Sequence, residues 1–204
     1  MFVCSLCLVL ALAACGSPTS TSGSTPTPAA TSQPSSSPTA ASSPTTSTSS
    51  TTLTTYTGSG YTIGYPQGWK VNASGKNVVF ADPTGIYSFT IVITPDPGGA
   101  ISPDTVLNTT VQVLTNTLKN TQTMNVPAST TIGGDTWMQK SIAGTSSAAG
   151  QTGTVQVVIA VDNHPANSAS TNTYTITYQT LQATFDAANG QYFQPMLQSF
   201  KFTS

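Results

Sequence analysis

The chain has 204 residues, with five Lys or Arg, six Asp or Glu and one His, and a net charge of −1 at neutral pH. So little charge argues against nucleic acid as a partner, because phosphates are neutralised by clustered Lys and Arg. All three cysteines (Cys4, Cys7 and Cys15) lie within the first 15 residues, so the rest of the chain is expected to hold no disulfide, thiolate nucleophile or cysteine metal centre.

Residues 6–12 form an apolar run too short to span a bilayer, which takes about 20 residues. Leu12-Ala13-Ala14-Cys15 closes the run and reads as a lipobox, the point at which a bacterial secretory peptide is cut before a cysteine that receives lipid. The expectation is a signal peptide over 1–14, lipid on Cys15, and a mature chain held at the outer, extracytoplasmic face of the cell membrane. One acyl chain binds membranes only marginally and two suffice, as the diacylglyceryl group of bacterial lipoproteins provides. No Lys or Arg precedes the run, whereas signal peptides open on positive charge, which leaves a start upstream of Met1 open.

From Gly16 to Thr55 the chain is Ser, Thr, Pro and Ala with no charged residue. Its aliphatic content is too low to offset the conformational entropy of ordering it. Residues 15–55 are therefore expected to form a disordered, lipid-tethered linker, about 35 Å end to end as a coil and about 120 Å as extended polyproline II. Dense Ser and Thr with Pro also suit O-glycosylation.

Residues 56–204 suffice for one domain with its own core. Tyr61-Thr-Ile63-Gly-Tyr65 alternates as a strand, Pro66-Gln-Gly68 turns, and Trp69-Lys-Val71 resumes. A short strand follows at Asn77–Ala81. Asp82-Pro-Thr-Gly85 then makes a turn in which Asp bonds nearby backbone, Pro fixes φ and Gly relieves strain. Phe89, Ile91 and Ile93 mark one face of a strand over Ile86–Thr94. Ser102-Pro103-Asp104 is a helix start, with Ser as N-cap and Pro at the first helical position. Leu107, Val111, Leu114 and Leu118 continue it as one helical face. Gly133-Gly134 separates strands around Thr130–Ile132 and Thr136–Ile142, and Thr154–Val161 and Thr173–Thr180 complete seven or eight strands. Phe185, Tyr192, Phe193, Met196, Leu197 and Phe200 outline a second helix, interrupted near Gly190 and Pro195. Phe200-Lys-Phe202 alternates again and is expected to close the sheet. The fold class is α+β: an antiparallel sheet of about six to eight strands between helices.

Gly60-Tyr-Thr-Ile-Gly-Tyr-Pro-Gln-Gly-Trp-Lys-Val71 resembles the opening hairpin of PsbP-like domains. Val78-Val-Phe-Ala-Asp-Pro83, Gly133-Gly-Asp-Thr-Trp137 and Met196-Leu-Gln-Ser-Phe-Lys-Phe202 are similar in kind and order, so the resemblance spans nearly all of 56–204. It implies the Mog/PsbP-like fold, a sheet sandwiched between helices, and a non-enzymatic accessory or assembly role, with many bacterial members being lipoproteins. The charged residues that serve docking in photosynthetic members have few counterparts here.

Little in the residues points to chemistry. His164, in Asp162-Asn-His-Pro165, could pair with Asp162 for a metal or for proton transfer. Turn chemistry is the favoured alternative, because no second His, Cys or Glu follows to complete a zinc site. Asp96 and Asp104 flank Pro97-Gly-Gly-Ala100, but two carboxylates fall short of the six or so oxygens that calcium takes. Neither Gly98-Gly99 nor Gly133-Gly134 has the flanking pattern of a phosphate loop. Trp69 and Trp137 are expected to pack at hairpins rather than serve as exposed anchors.

The expectation is thus a lipid-anchored, non-enzymatic binding or scaffolding protein with a protein partner, no cofactor, no metal and no catalytic residue. Two alternatives stand beside it: a carrier of a small apolar ligand such as a lipid, or a photosystem II accessory protein in a photosynthetic host.

Overall fold

The computed structural model describes residues 51–148 and 151–203. The expected signal peptide, Cys15 and most of the expected linker therefore lie outside the described residues.

Among the described residues, eleven strands form two antiparallel sheets. The larger runs in the order β3 (Lys70–Ser74), β4 (Asn77–Ala81), β5 (Ser88–Pro95), β10 (Asn172–Leu181), β9 (Gln151–His164), β8 (Asp135–Ala148) and β6 (Lys119–Met124), with β7 (Ser129–Ile132) pairing to β8 beside β6. The smaller holds β1 (Leu53–Gly58), β2 (Tyr61–Pro66) and β11 (Lys201–Phe202). This is an α+β fold with an eight-stranded main sheet.

Three details differ from the sequence expectation. Phe200–Phe202 does not close the main sheet; Lys201 and Phe202 pair with Thr62 and Tyr61 of β2, in the small sheet. The first strand begins at Leu53, inside the segment expected to be linker, because Leu53–Gly58 pairs along its whole length with β2. β6 was not foreseen either. Its sequence, Lys-Asn-Thr-Gln-Thr-Met, does not alternate, and its register on β8 shifts between Lys119 and Gln122.

The two faces of the main sheet bury separate cores. On one, Phe80, Phe89, Ile91, Trp137, Ala160 and Ile176 pack against Tyr61 and Ile63 of the small sheet and Phe193, Met196 and Phe200 near the C-terminus. On the other, Ile142, Val155, Val157, Ile159 and Val161 meet Leu107, Leu114 and Leu118. Strand β9 serves both: Val157, Ile159 and Val161 face the helix while Val158 and Ala160 face the aromatics. Burial on both faces is why its stretch Val157–Val161 reads as an unbroken apolar run rather than an alternating one.

Helix α1 (Pro103–Thr117) starts as its sequence dictates: the Ser102 side chain accepts a hydrogen bond from Thr105 N–H at 3.2 Å, and Pro103 occupies the first turn. Threonine is a poor helix former because its hydroxyl competes for backbone partners. Here the hydroxyls of Thr109, Thr110, Thr115 and Thr117 instead donate to carbonyls four residues back, at 2.8–2.9 Å, within the helix. The C-terminal helical stretch is composite. A 3₁₀ turn (Gln182–Thr184) leads into α2 (Phe185–Ala188), a π-turn (Asn189–Phe193) and α3 (Gln194–Ser199). The break expected near Gly190 and Pro195 is thus a widened turn, with Pro195 in the first turn of α3.

Candidate functional site

Three turns bring three aromatic side chains together at the edge of the aromatic core. Trp69 follows a turn closed by its own N–H to the Pro66 carbonyl (3.1 Å), with Gly68 at φ +89°, the conformation that favours glycine at the third position of a type II turn. Tyr87 is held by Asp82. This buried carboxylate accepts from the N–H of Tyr87 at 2.8 Å and of Thr84 at 3.0 Å, and from the Thr84 hydroxyl. Tyr192 projects from the π-turn, whose Gln191 carbonyl accepts from the Thr51 hydroxyl at 2.8 Å.

The rings lie against one another, Trp69–Tyr87 at 6.5 Å with planes 13° apart, Trp69–Tyr192 at 5.6 Å and Tyr87–Tyr192 at 5.4 Å. They line an open cleft of about 430 Å³, together with Thr51, Thr52, Gln67, Asp82, Pro83 and Gln191. All three rings are half-buried, and Trp69 also packs edge-on against buried Phe193. Apolar faces beside amide and hydroxyl groups suit a ligand that is part apolar and part polar. The one carboxylate in the lining is already committed to the Tyr87 turn, so the cleft offers shape and hydrogen bonds rather than charge.

A second cluster lies at the far end of β9. Asp162 and His164 are two residues apart on one strand face, the face that also carries Val158 and Ala160. Asp135 joins them from the start of β8: His164 Nδ1 and Asp135 Oδ2 are 2.6 Å apart. The imidazole lies flat on Phe202, with centroids 3.5 Å apart. Asp162 Oδ2 is shut off from solvent without a hydrogen-bond partner. Burial, and next the nearby Asp135 carboxylate, push the Asp162 carboxyl above its usual range, while an Asn163 backbone hydrogen bond and His164 pull the other way.

The other residues singled out from sequence have structural duties. Buried Asp96 accepts from Ile101 N–H (3.2 Å) and Asn163 Nδ2 (3.4 Å), pinning the loop ahead of α1, whereas Asp104 accepts from Asn108 one helical turn on. Trp137 is fully buried, its indole N–H donating to the Ile132 carbonyl at 3.0 Å. Gly133-Gly134 forms a two-residue hairpin loop between β7 and β8, with φ +63° and +96°, as a type I′ turn requires. Asp135, Tyr87 and Tyr192 escaped the sequence reading as site residues. The turn residues before Tyr87 and Asp135 were visible, but not what those turns bring side by side.

Comparison with known proteins gives one family. The PsbP family model matches residues 51–202. Among solved structures, LpqN of Mycobacterium tuberculosis, described as involved in cell envelope biogenesis, is 21% identical over 75% of this chain and 91% of its own, with a TM-score of 0.43. A structure from Bacteroides thetaiotaomicron VPI-5482 is 8% identical over 71% of this chain and 46% of its own, with a TM-score of 0.42. No curated protein matches the chain in sequence.

Proposed function

The chain belongs to the PsbP family, and from that premise we propose that it is a non-enzymatic lipoprotein of the outer membrane face whose domain binds a protein partner. The observation that carries the binding role is the aromatic cleft of Trp69, Tyr87 and Tyr192. Trp and Tyr give large contact area at low entropic cost, which is why they dominate the energetics of protein interfaces. The rest of the surface has few charges to steer a partner, so recognition falls to shape and hydrogen bonding.

Anchorage rests on Leu12-Ala-Ala-Cys15, followed by an uncharged linker long enough to hold the domain away from the bilayer. A catalytic role has little support in a chain with no Arg or Glu and a single His. The carrier reading is less well served, because the cleft is open and edged by Gln67, Asp82 and Gln191, where a lipid would seek an enclosed apolar cavity. A photosystem role would need docking charges, and the chain has only five Lys.

Crosslinking in intact cells tests the binding role. One dominant protein partner is expected with the native chain and its loss with the Trp69→Ala/Tyr192→Ala double variant. A partner retained by the double variant would remove the cleft from the interface. Palmitate labelling that persists in Cys15→Ala would refute the lipid anchor.

A further inference from the structure

The cluster at the end of β9 is a separate matter from the cleft. One ligand atom each from Asp135, Asp162 and His164 lies within 4.8 Å of the other two. Two carboxylates and one imidazole form the mixed oxygen and nitrogen donor set that suits a first-row divalent ion.

Two further observations separate this group from an ordinary side-chain hydrogen bond. The His164–Asp135 hydrogen bond serves only one of the two carboxylates. Asp162 Oδ2 is left buried without a donor, and a buried polar atom without a partner is costly. A cation between the carboxylates would supply that missing partner. The imidazole is also held in place: Phe202 stacks on it with the ring planes 5° from parallel, so its ring plane is set before any ion arrives. Fixed ring orientation is what supporting contacts around a metal-binding histidine provide.

We propose that Asp135, Asp162 and His164 form a binding site for a divalent transition-metal ion of the Zn²⁺ class. Three protein ligands with one position left to water is the arrangement of an open zinc site. Ligand atoms around a tetrahedral Zn²⁺ sit about 3.3 Å apart, given bonds of about 2.0–2.1 Å. His164 Nδ1 and Asp135 Oδ2, 2.6 Å apart, would have to part by about 0.7 Å to share the ion. Asp135 follows the Gly133-Gly134 loop while the other two ride on the rigid, doubly packed β9, so the turn is the part that adjusts.

His164 is the only histidine in the chain, so its imidazole proton signals report on this site without any substitution. Titrating the full chain with ZnCl₂, followed by NMR and by calorimetry, should move those signals and saturate them at one Zn²⁺ per chain. Asp162→Asn, which keeps size and shape, should weaken binding about tenfold or more, and Asp186→Asn on α2 should leave it unchanged. Imidazole signals that stay put while Zn²⁺ binds would place the ion on other ligands, such as the N-terminal cysteines, and overturn the proposal. No Zn²⁺ binding at all would do the same, as would equal affinity in Asp162→Asn.

Discussion

His164 and Phe202 lie face to face, ring centroids 3.5 Å apart, and so join the end of β9 to the short strand β11. Phe202 also stacks on Trp137 at 6.2 Å and meets Tyr174 edge-on at 5.2 Å. Replacing it with Ala should cost about 2 kcal/mol, less than a fully buried Phe because the ring is only half-buried. Urea unfolding measures the loss. Removal of the overlying ring should also move the His164 proton signals downfield; signals unchanged from the native chain would mean the stack does not persist in solution.

The hairpin glycines should differ from each other. Both have positive φ, so Ala at either position incurs about 1 kcal/mol of left-handed strain. A Cβ on Gly133 would also come within 3.0 Å of Phe200 and 3.3 Å of Phe202, while one on Gly134 meets nothing within 4 Å. Gly133→Ala should therefore lower the unfolding midpoint clearly more than Gly134→Ala. Equal losses would show that Phe200 yields freely.

Alkaline pH should unfold the domain. Burial pushes the Tyr178 phenol up to about 12 and raises Tyr61 and Tyr174 as well. In the unfolded chain these phenols ionise near pH 10. Between about pH 10 and 12 folded Tyr178 keeps a proton that the unfolded chain has released, so stability falls as pH rises, by up to about 1.4 kcal/mol per pH unit for this group. Tyr178→Phe should flatten the decline in a stability series from pH 9 to 12. An unaltered slope would mean Tyr178 titrates normally.

Helix α1 depends on its cap. Ser102→Ala removes the acceptor for Thr105 N–H and should cost about 1 kcal/mol. The loss should appear in hydrogen exchange as faster opening of Thr105 and Val106. Native-like protection there would indicate that packing of Leu107 alone holds the first turn.

How far the sequence reveals this molecule depends on whether the deciding contact is local. Asn77–Ala81 is a strand with the predicted bounds, and α1 starts at the predicted cap, because alternation and capping act within a few residues. Edge strands β1 and β6 carry no such pattern, since what makes them strands is the partner beside them. The sites were harder still. Trp69 was visible as a hairpin residue, but its neighbours Tyr87 and Tyr192 reach it through turns far away in the chain. Asp162 and His164 were visible as a pair, yet Asp135 joins them only through the pairing of β8 with β9.

That same β9 contributes side chains to both cores. A strand shared in this way ties the two halves of the domain into one cooperative unit, since neither core can open while its common wall stays fixed. Unfolding should therefore be all-or-none, with tryptophan fluorescence from the aromatic side and circular dichroism from α1 tracing a single transition. A mutation that opens a hole in either core would be felt as a change in the fraction of molecules folded rather than as the local loosening of one face, whereas fraying at a helix end stays local.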